Sequence, residues 1–298
     1  MKSSIKQCRQ DRVFTAINYI FLIILMAAFL YPLIYVISCS FSSGDALMTG
    51  KVKLLPVEPS LQGYKTVFAY DPIWIGYKNS LLYMVVGTAI SVVLTVIAAY
   101  PLSRKDLRGR KVIMTYFVFT MMFSGGMIPS YLLVNQLNID NTMWAIVLPG
   151  AVSAYNVIVV RTYYSQSLPQ ELLEASKIDG CSDYKFLWHI VLPLSKPIIA
   201  VISLWVAVAL WNSYFNALIY LNSEEKYPLQ LVLRGILITN QANISGSISD
   251  PELLEKMNLV SEMFKYGTII ISSLPLMILY PFVQKYFVKG VMLGSVKG

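Results

Sequence analysis

Six apolar stretches, 13–38, 79–103, 112–132, 144–164, 197–221 and 266–284, carry no Asp, Glu, Lys, Arg or His in their interiors. Arg161 stands only near the end of the fourth. Crossing the hydrocarbon core of a bilayer takes about 20 consecutive, mostly apolar residues. In that medium every backbone N–H and C=O must be satisfied within the chain, and α-helices do this segment by segment. The pattern therefore predicts an all-α integral membrane protein with six transmembrane helices. Composition agrees: 56% of the 298 residues are apolar and 13% charged, against roughly a quarter charged in soluble domains. A soluble enzyme, a disordered scaffold and a secreted disulfide module are excluded. The first stretch is too long for a signal-peptide core and is followed by no small-residue cleavage site, so it is expected to remain as an anchor.

The net charge of +8 sits in the connections beside the spans and not in one stripe, so no nucleic-acid partner is expected and orientation in the lipid explains it. With the N-terminus taken as cytoplasmic, the inner segments hold 16 of the 24 basic residues but only six of the 16 acids. Both termini are expected in the cytoplasm, in a multi-pass chain of the cell membrane. Two outer connections are long, 39–78 and 222–265. The first reads as a loop holding a short amphipathic helix. In the second, Asp250 and Pro251 read as the cap and first residue of a helix. The three cysteines, Cys8, Cys39 and Cys181, are odd in number and lack metal-ligand spacing, so neither a disulfide framework nor a metal site is expected.

Spans without ionisable residues lack the midplane counter-charge that ion-coupled carriers use. They also lack a base beside any nucleophile, and the sole histidine, His189, falls in a cytoplasmic connection. No G-x-x-x-x-G-K-[ST] phosphate loop occurs. The chain is read as non-catalytic, with no cofactor of its own, and its energy source as another polypeptide. Polar groups inside the spans are amides, hydroxyls and aromatic rings. Tyr155 and Asn156 in the fourth span, with Trp211, Asn212, Tyr214 and Asn216 in the fifth, offer the rings and amides that suit a sugar path. An interfacial aromatic belt with interhelical Asn bonds is the plainer alternative.

The connection 167–195 carries the most information. Ser167 reads as a helix cap, Pro169 as a first-turn residue and Gly180 as a left-handed terminator. Ser182 or Asp183 then caps a second short helix ending at Leu192-Pro193. Leu168, Leu172, Ala175 and Ser176 share one face, with Leu173 and Ile178 flanking it, while Glu171 and Glu174 lie on another. Two helices around a sharp turn at the membrane edge make a rigid knob for a partner to grip. Its mixed charge disfavours a helix lying on lipid.

Glu174-Ala175-Ser176, Asp179-Gly180 and, ten residues on, Ile190-x-Leu192-Pro193 resemble the EAA motif of ABC importer permeases, with Ser176 in place of the second alanine. The chain further resembles the carbohydrate branch, similar to the maltose-type second permease and nearer the polysaccharide and lipoprotein-linked permeases of Gram-positive bacteria. Phe123–Ser130 and the run from Tyr280 to Gly298 carry that part of the likeness. The resemblance implies a type I importer permease fold for residues 1–298 and a bacterial cytoplasmic membrane. It implies a second permease chain, two ATPase subunits that bind ATP-Mg, and an extracellular solute-binding protein or lipoprotein. Through it, Glu174, Ala175, Ser176, Asp179, Gly180, Ile190, Leu192 and Pro193 become the ATPase-coupling residues. The tail 291–298 would reach the ATPase pair and the loop 222–265 the binding protein. A permease of the same superfamily for a non-sugar solute is the alternative, ahead of a self-contained secondary carrier.

Overall fold

The structure, a computed structural model, describes residues 9–243 and 251–295. Every regular element among them is helical. Three helices are long and apolar enough to cross a membrane, Gln10–Ser40, Asp71–Ser103 and Asn258–Pro281, or up to five if two bent pairs each count as one span. The three coincide with the first, second and sixth apolar stretches. Elsewhere the helices are interrupted. The third stretch forms Arg110–Met122 and Met127–Gln136, bent by 111°, because Gly126 takes φ +86°, a conformation that breaks the hydrogen-bond ladder. In the fourth, Met143–Val147 and Ala154–Ser167 flank a break containing Pro149 and Gly150. In the fifth, Lys196–Trp211 ends at Asn212, and Phe215–Tyr220 follows.

The chain divides into two compact units. The first comprises Met1–Tyr70 and Ile236–Ser272. Its Arg9–Ser40 helix leaves its apolar side chains exposed from Val13 to Ile34, as suits a helix whose solvent is lipid. At its C-terminal end the serines tie down the following loop. Ser38 Oγ donates to the Leu54 carbonyl at 2.7 Å, and Ser42 Oγ accepts from the Val57 amide at 3.1 Å. Cys39 is fully buried there with Ala46 and Val52. The connection 39–78 holds two short helices, Gly44–Met48 and Gln62–Phe68, where one was expected. In the connection 222–265, Leu229–Asn243 forms a helix that the sequence reading treated as loop. The helix expected at Pro251 continues unbroken to Ser295. Asp250, its expected cap, lies outside the described residues, as do Cys8 and the end of the tail from Val296.

The second unit comprises Asp71–Gly235 and Ser273–Gly298. Here Asp71–Ser103 packs against Lys196–Trp211 and Ala154–Ser167. Their shared core contains Ala99, Leu102, Val157, Val160, Ile198 and Ile202. Two residues of the connection 167–195, Phe186 and Val191, are buried in that same core. At the other end, Asn141 fastens the segment after Tyr220. Its side-chain oxygen accepts from the Asn222 and Ser223 amides at 3.1 and 3.2 Å, and its amide donates to Ser223 Oγ at 2.9 Å. Its carbonyl accepts from Lys226 Nζ at 2.8 Å.

Candidate functional site

The knob begins with the Gln170–Ile178 helix. Its cap residue is Pro169, with no side-chain cap bond, and Ser167 instead ends the preceding Ala154–Ser167 helix. The expected role of Ser167 is thereby corrected: the preceding helix continues through it and ends there. Glu171 in the first turn and Lys177 in the last complement the helix dipole. Gly180, at φ +69°, closes the helix, with its amide on the Lys177 carbonyl at 3.1 Å and that of Cys181 on the Ser176 carbonyl at 2.9 Å. An L-residue there would sit in a strained left-handed conformation.

Ser182 then caps Asp183–Phe186, its hydroxyl accepting from the Lys185 amide. The helix continues to Leu194 through a π turn at Leu187–Val191. After Ser195 the chain bends by 78° into Lys196–Trp211. Burial sets the faces. Ser176 is buried, with Leu168, Leu172 and Leu173 half-buried. Ala175 is exposed and Ile178 is 87% exposed, so Ala175 joins Glu171 and Glu174 on the outer face and Leu173 takes its expected inner place. Gln170 Nε2 donates to Glu174 Oε1 at 3.1 Å, which orients that carboxylate along the outer face. Ile190 and Leu192 are half-buried, while Asp179 and Pro193 are exposed.

An ionic cluster holds the knob to the end of the second span. The Arg104 side chain, 12% exposed, donates through Nη2 to Asp106 at 2.6 Å and through Nη1 to Asp183 at 2.5 Å. It also donates to the Tyr100 hydroxyl at 3.1 Å. Lys177 Nζ lies 3.7 Å from Asp106. Hydrogen bonding to Asp106 pushes the Arg104 guanidinium above its usual range, and the same bond holds the Asp106 carboxyl down at about 2. Beside this cluster opens a cleft of about 750 Å³, lined by residues that include Arg104, Arg110, Arg161, Glu171, Glu174 and Lys177. Nothing in the local sequence pattern singles out Arg104, since its partner Asp183 is 79 residues away.

The expected path residues fall in two places, at the start of the Ala154–Ser167 helix and around the break after Trp211. Tyr155, exposed, lies 5.9 Å ring to ring from Trp205, while Asn156 is buried beside the cap of its helix. Trp211 is buried to 1% exposure and meets the Tyr77 ring edge-on at 5.4 Å. Asn212 caps the helix and donates to the Val208 carbonyl at 2.8 Å. Tyr214 sits in the break and Asn216 is half-buried one turn on. Over the Tyr214 ring, 4.9 Å from its centroid, lies the guanidinium of Arg234. The sequence reading had left Arg234 in a loop. The available signal was an arginine midway along the apolar run Leu229–Ile238.

The profile of the family described as binding-protein-dependent transport system inner membrane component matches residues 91–293. The polygalacturonan/rhamnogalacturonan transport system permease protein YtcP of Bacillus subtilis is 40% identical over 97% of this chain and 100% of its own length. Protein LplC of the same organism is 39% identical over 97% of each chain. One solved structure, of a bacterial ABC transporter involved in import of the acidic polysaccharide alginate, aligns with a TM-score of 0.83. It is 36% identical over 95% of this chain and 100% of that one.

Proposed function

We propose a function from one premise: the chain belongs to the family of binding-protein-dependent transport system inner membrane components. It is therefore a membrane-embedded permease subunit of an ABC importer, a translocation component and not an enzyme, and its relatives are sugar and oligosaccharide permeases. Within that frame it imports oligosaccharides, of the acidic class that two similar proteins are named for. Six spans with both termini in the cytoplasm complete the topology. The working assembly pairs it with a second permease chain, two ATPase subunits that bind ATP-Mg, and an extracellular binding protein or lipoprotein.

One observation carries this reading: the exposed acidic face of Glu171 and Glu174 stands on a knob whose base, Phe186 and Val191, is buried among the span residues. A partner that grips Glu174, with Ala175 and Gly180 allowing close approach, moves the knob. Asp179, Ile190, Leu192 and Pro193 shape the turn and the second helix that carry this motion onward. The displacement passes into Lys196–Trp211 and Asp71–Ser103 because core packing is bistable and not continuously deformable. ATP binding then biases two arrangements of the spans, and the solute passes along the accessible members of the expected set, Tyr155, Asn212, Tyr214 and Asn216, while Asn156 and Trp211 are buried and hold the helices that carry them.

The test is affinity purification of the tagged chain from its native membrane, with its partners identified by mass spectrometry. The wild type recovers a second permease and an ATPase. Glu174→Ala loses most of the ATPase while the second permease stays. Full ATPase recovery with Glu174→Ala removes the assigned contact.

A further inference from the structure

Arg234 is out of place as a structural residue. It lies midway along the apolar Leu229–Ile238 helix segment, half-buried, and among the described residues no carboxylate lies within ion-pair distance of it. None of its five N–H donors has a protein acceptor there either. Its one partner among the described residues is the Tyr214 ring, 40% exposed, with the guanidinium 4.9 Å from the centroid. A half-buried guanidinium that has an aromatic ring beside it but no anion keeps its planar N–H donors available to a ligand that supplies the charge. Lys226, eight residues earlier in the chain, is by contrast accounted for by its bond to the Asn141 carbonyl.

Placement specifies the ligand. Tyr214 stands in the break between Lys196–Trp211 and Phe215–Tyr220, with Asn212 and Asn216 on either side. A partly exposed aromatic ring takes the C–H face of a pyranose. A guanidinium beside it takes a planar carboxylate through two parallel N–H···O bonds, which a lysine or an amide cannot reproduce. A neutral sugar would leave the cation unpaired. A sugar bearing a ring carboxylate satisfies both groups at once.

We infer that Arg234 and Tyr214 form a uronate-recognition point on the solute path, Arg234 pairing with the carboxylate of a passing acidic sugar while Tyr214 stacks on its ring. This rests on the importer reading above. The binding step forms and breaks only non-covalent contacts, so its signature is in substrate concentration dependence and not in ATP turnover.

The experiment uses the complete importer, purified with its partner chains and placed in proteoliposomes, with labelled oligogalacturonate as the probe and initial uptake rates measured with ATP. Arg234→Gln is expected to raise KM for oligogalacturonate about 10- to 100-fold, the range for losing hydrogen bonds to a charged group, with kcat within about twofold of wild type. Arg234→Lys keeps the charge and recovers part of the loss. Tyr214→Leu raises KM by a smaller factor. An unchanged KM in Arg234→Gln overturns the assignment. So does a fall in kcat shared equally by Arg234→Gln and Arg234→Lys, which marks a packing role. If the wild-type complex hydrolyses ATP but takes up no oligogalacturonate, the acidic-substrate reading falls and this inference with it; if uptake occurs but needs no ATP, the importer reading falls instead.

Discussion

Arg104→Gln loosens the knob from the spans while leaving Glu171 and Glu174, which share its cleft, unsubstituted. Removing one member of a buried ion pair costs about 3–5 kcal/mol, whereas exposed pairs contribute about 0–1 kcal/mol. Arg104 is 12% exposed, but the Asp106 and Asp183 side chains are 55% and 64% exposed, so water restores much of what they lose. The net cost falls between those limits, about 1–2 kcal/mol, which changes the population of the docked loop about 5- to 30-fold. The assay is hydrogen exchange of the amides at 182–187 in the assembled complex, measured beside the number of ATP molecules hydrolysed per solute imported. The variant is expected to lose protection there by that factor and to hydrolyse more ATP per solute, with ATPase recovery unchanged. Unchanged exchange and unchanged stoichiometry would refute the argument. The pH dependence has a definite sign. Asp106 is held at about 2, below its usual 3.8, so its contribution is complete above about pH 4 and is lost only as pH falls toward 2. Protection at 182–187 in the wild type should therefore stay flat from pH 8 to pH 5.

Two further perturbations test other parts of the fold. A Cβ on Gly63 would lie 2.6 Å from the Met263 carbonyl oxygen, and backbone cannot step aside as a side chain does, so Gly63→Ala should cost about 1–3 kcal/mol and lower the thermal midpoint of the purified chain; an unchanged midpoint contradicts that close contact. Asn141→Ala removes the acceptor for two backbone amides and the donor to Ser223, and is expected to increase proteolysis within 221–228 while leaving ATPase recovery intact.

Local signals made the knob readable. Gly180 announced a left-handed stop and Ser182 a cap, because both act within a few residues of themselves, and the structure places both so. Apolar length gave stretches at 13–38, 79–103 and 266–284, and these overlap the helices Gln10–Ser40, Asp71–Ser103 and Asn258–Pro281, whose ends extend or shift beyond the apolar run. What local pattern could not show is where a helix breaks or what lies opposite it. The bend after Met122 is set by backbone conformation at Gly126, yet a glycine within an apolar run can equally mark close helix approach. Ser167 looked like a cap because Ser precedes Pro169, but the upstream helix simply continued through it. Ala175 and Leu173 exchanged faces because apolarity alone does not say which neighbour covers a residue. Arg104 and Arg234 escaped notice because each acquires meaning from a side chain distant in sequence. Asp183 is 79 residues from Arg104, and Tyr214 lies in the break before Phe215–Tyr220, separated from Arg234 by that helix and the segment after it.

The central claim is that this chain converts the motion of a partner ATPase into passage of an acidic oligosaccharide through the membrane. ATP-dependent accumulation of labelled oligogalacturonate in proteoliposomes containing the chain and its co-purified partners tests it most directly, run with and without ATP inside and with Glu174→Ala as the uncoupled control. Accumulation that requires ATP and is abolished by Glu174→Ala is the predicted result. Accumulation that proceeds without ATP, or that is driven by an imposed ion gradient, contradicts the account.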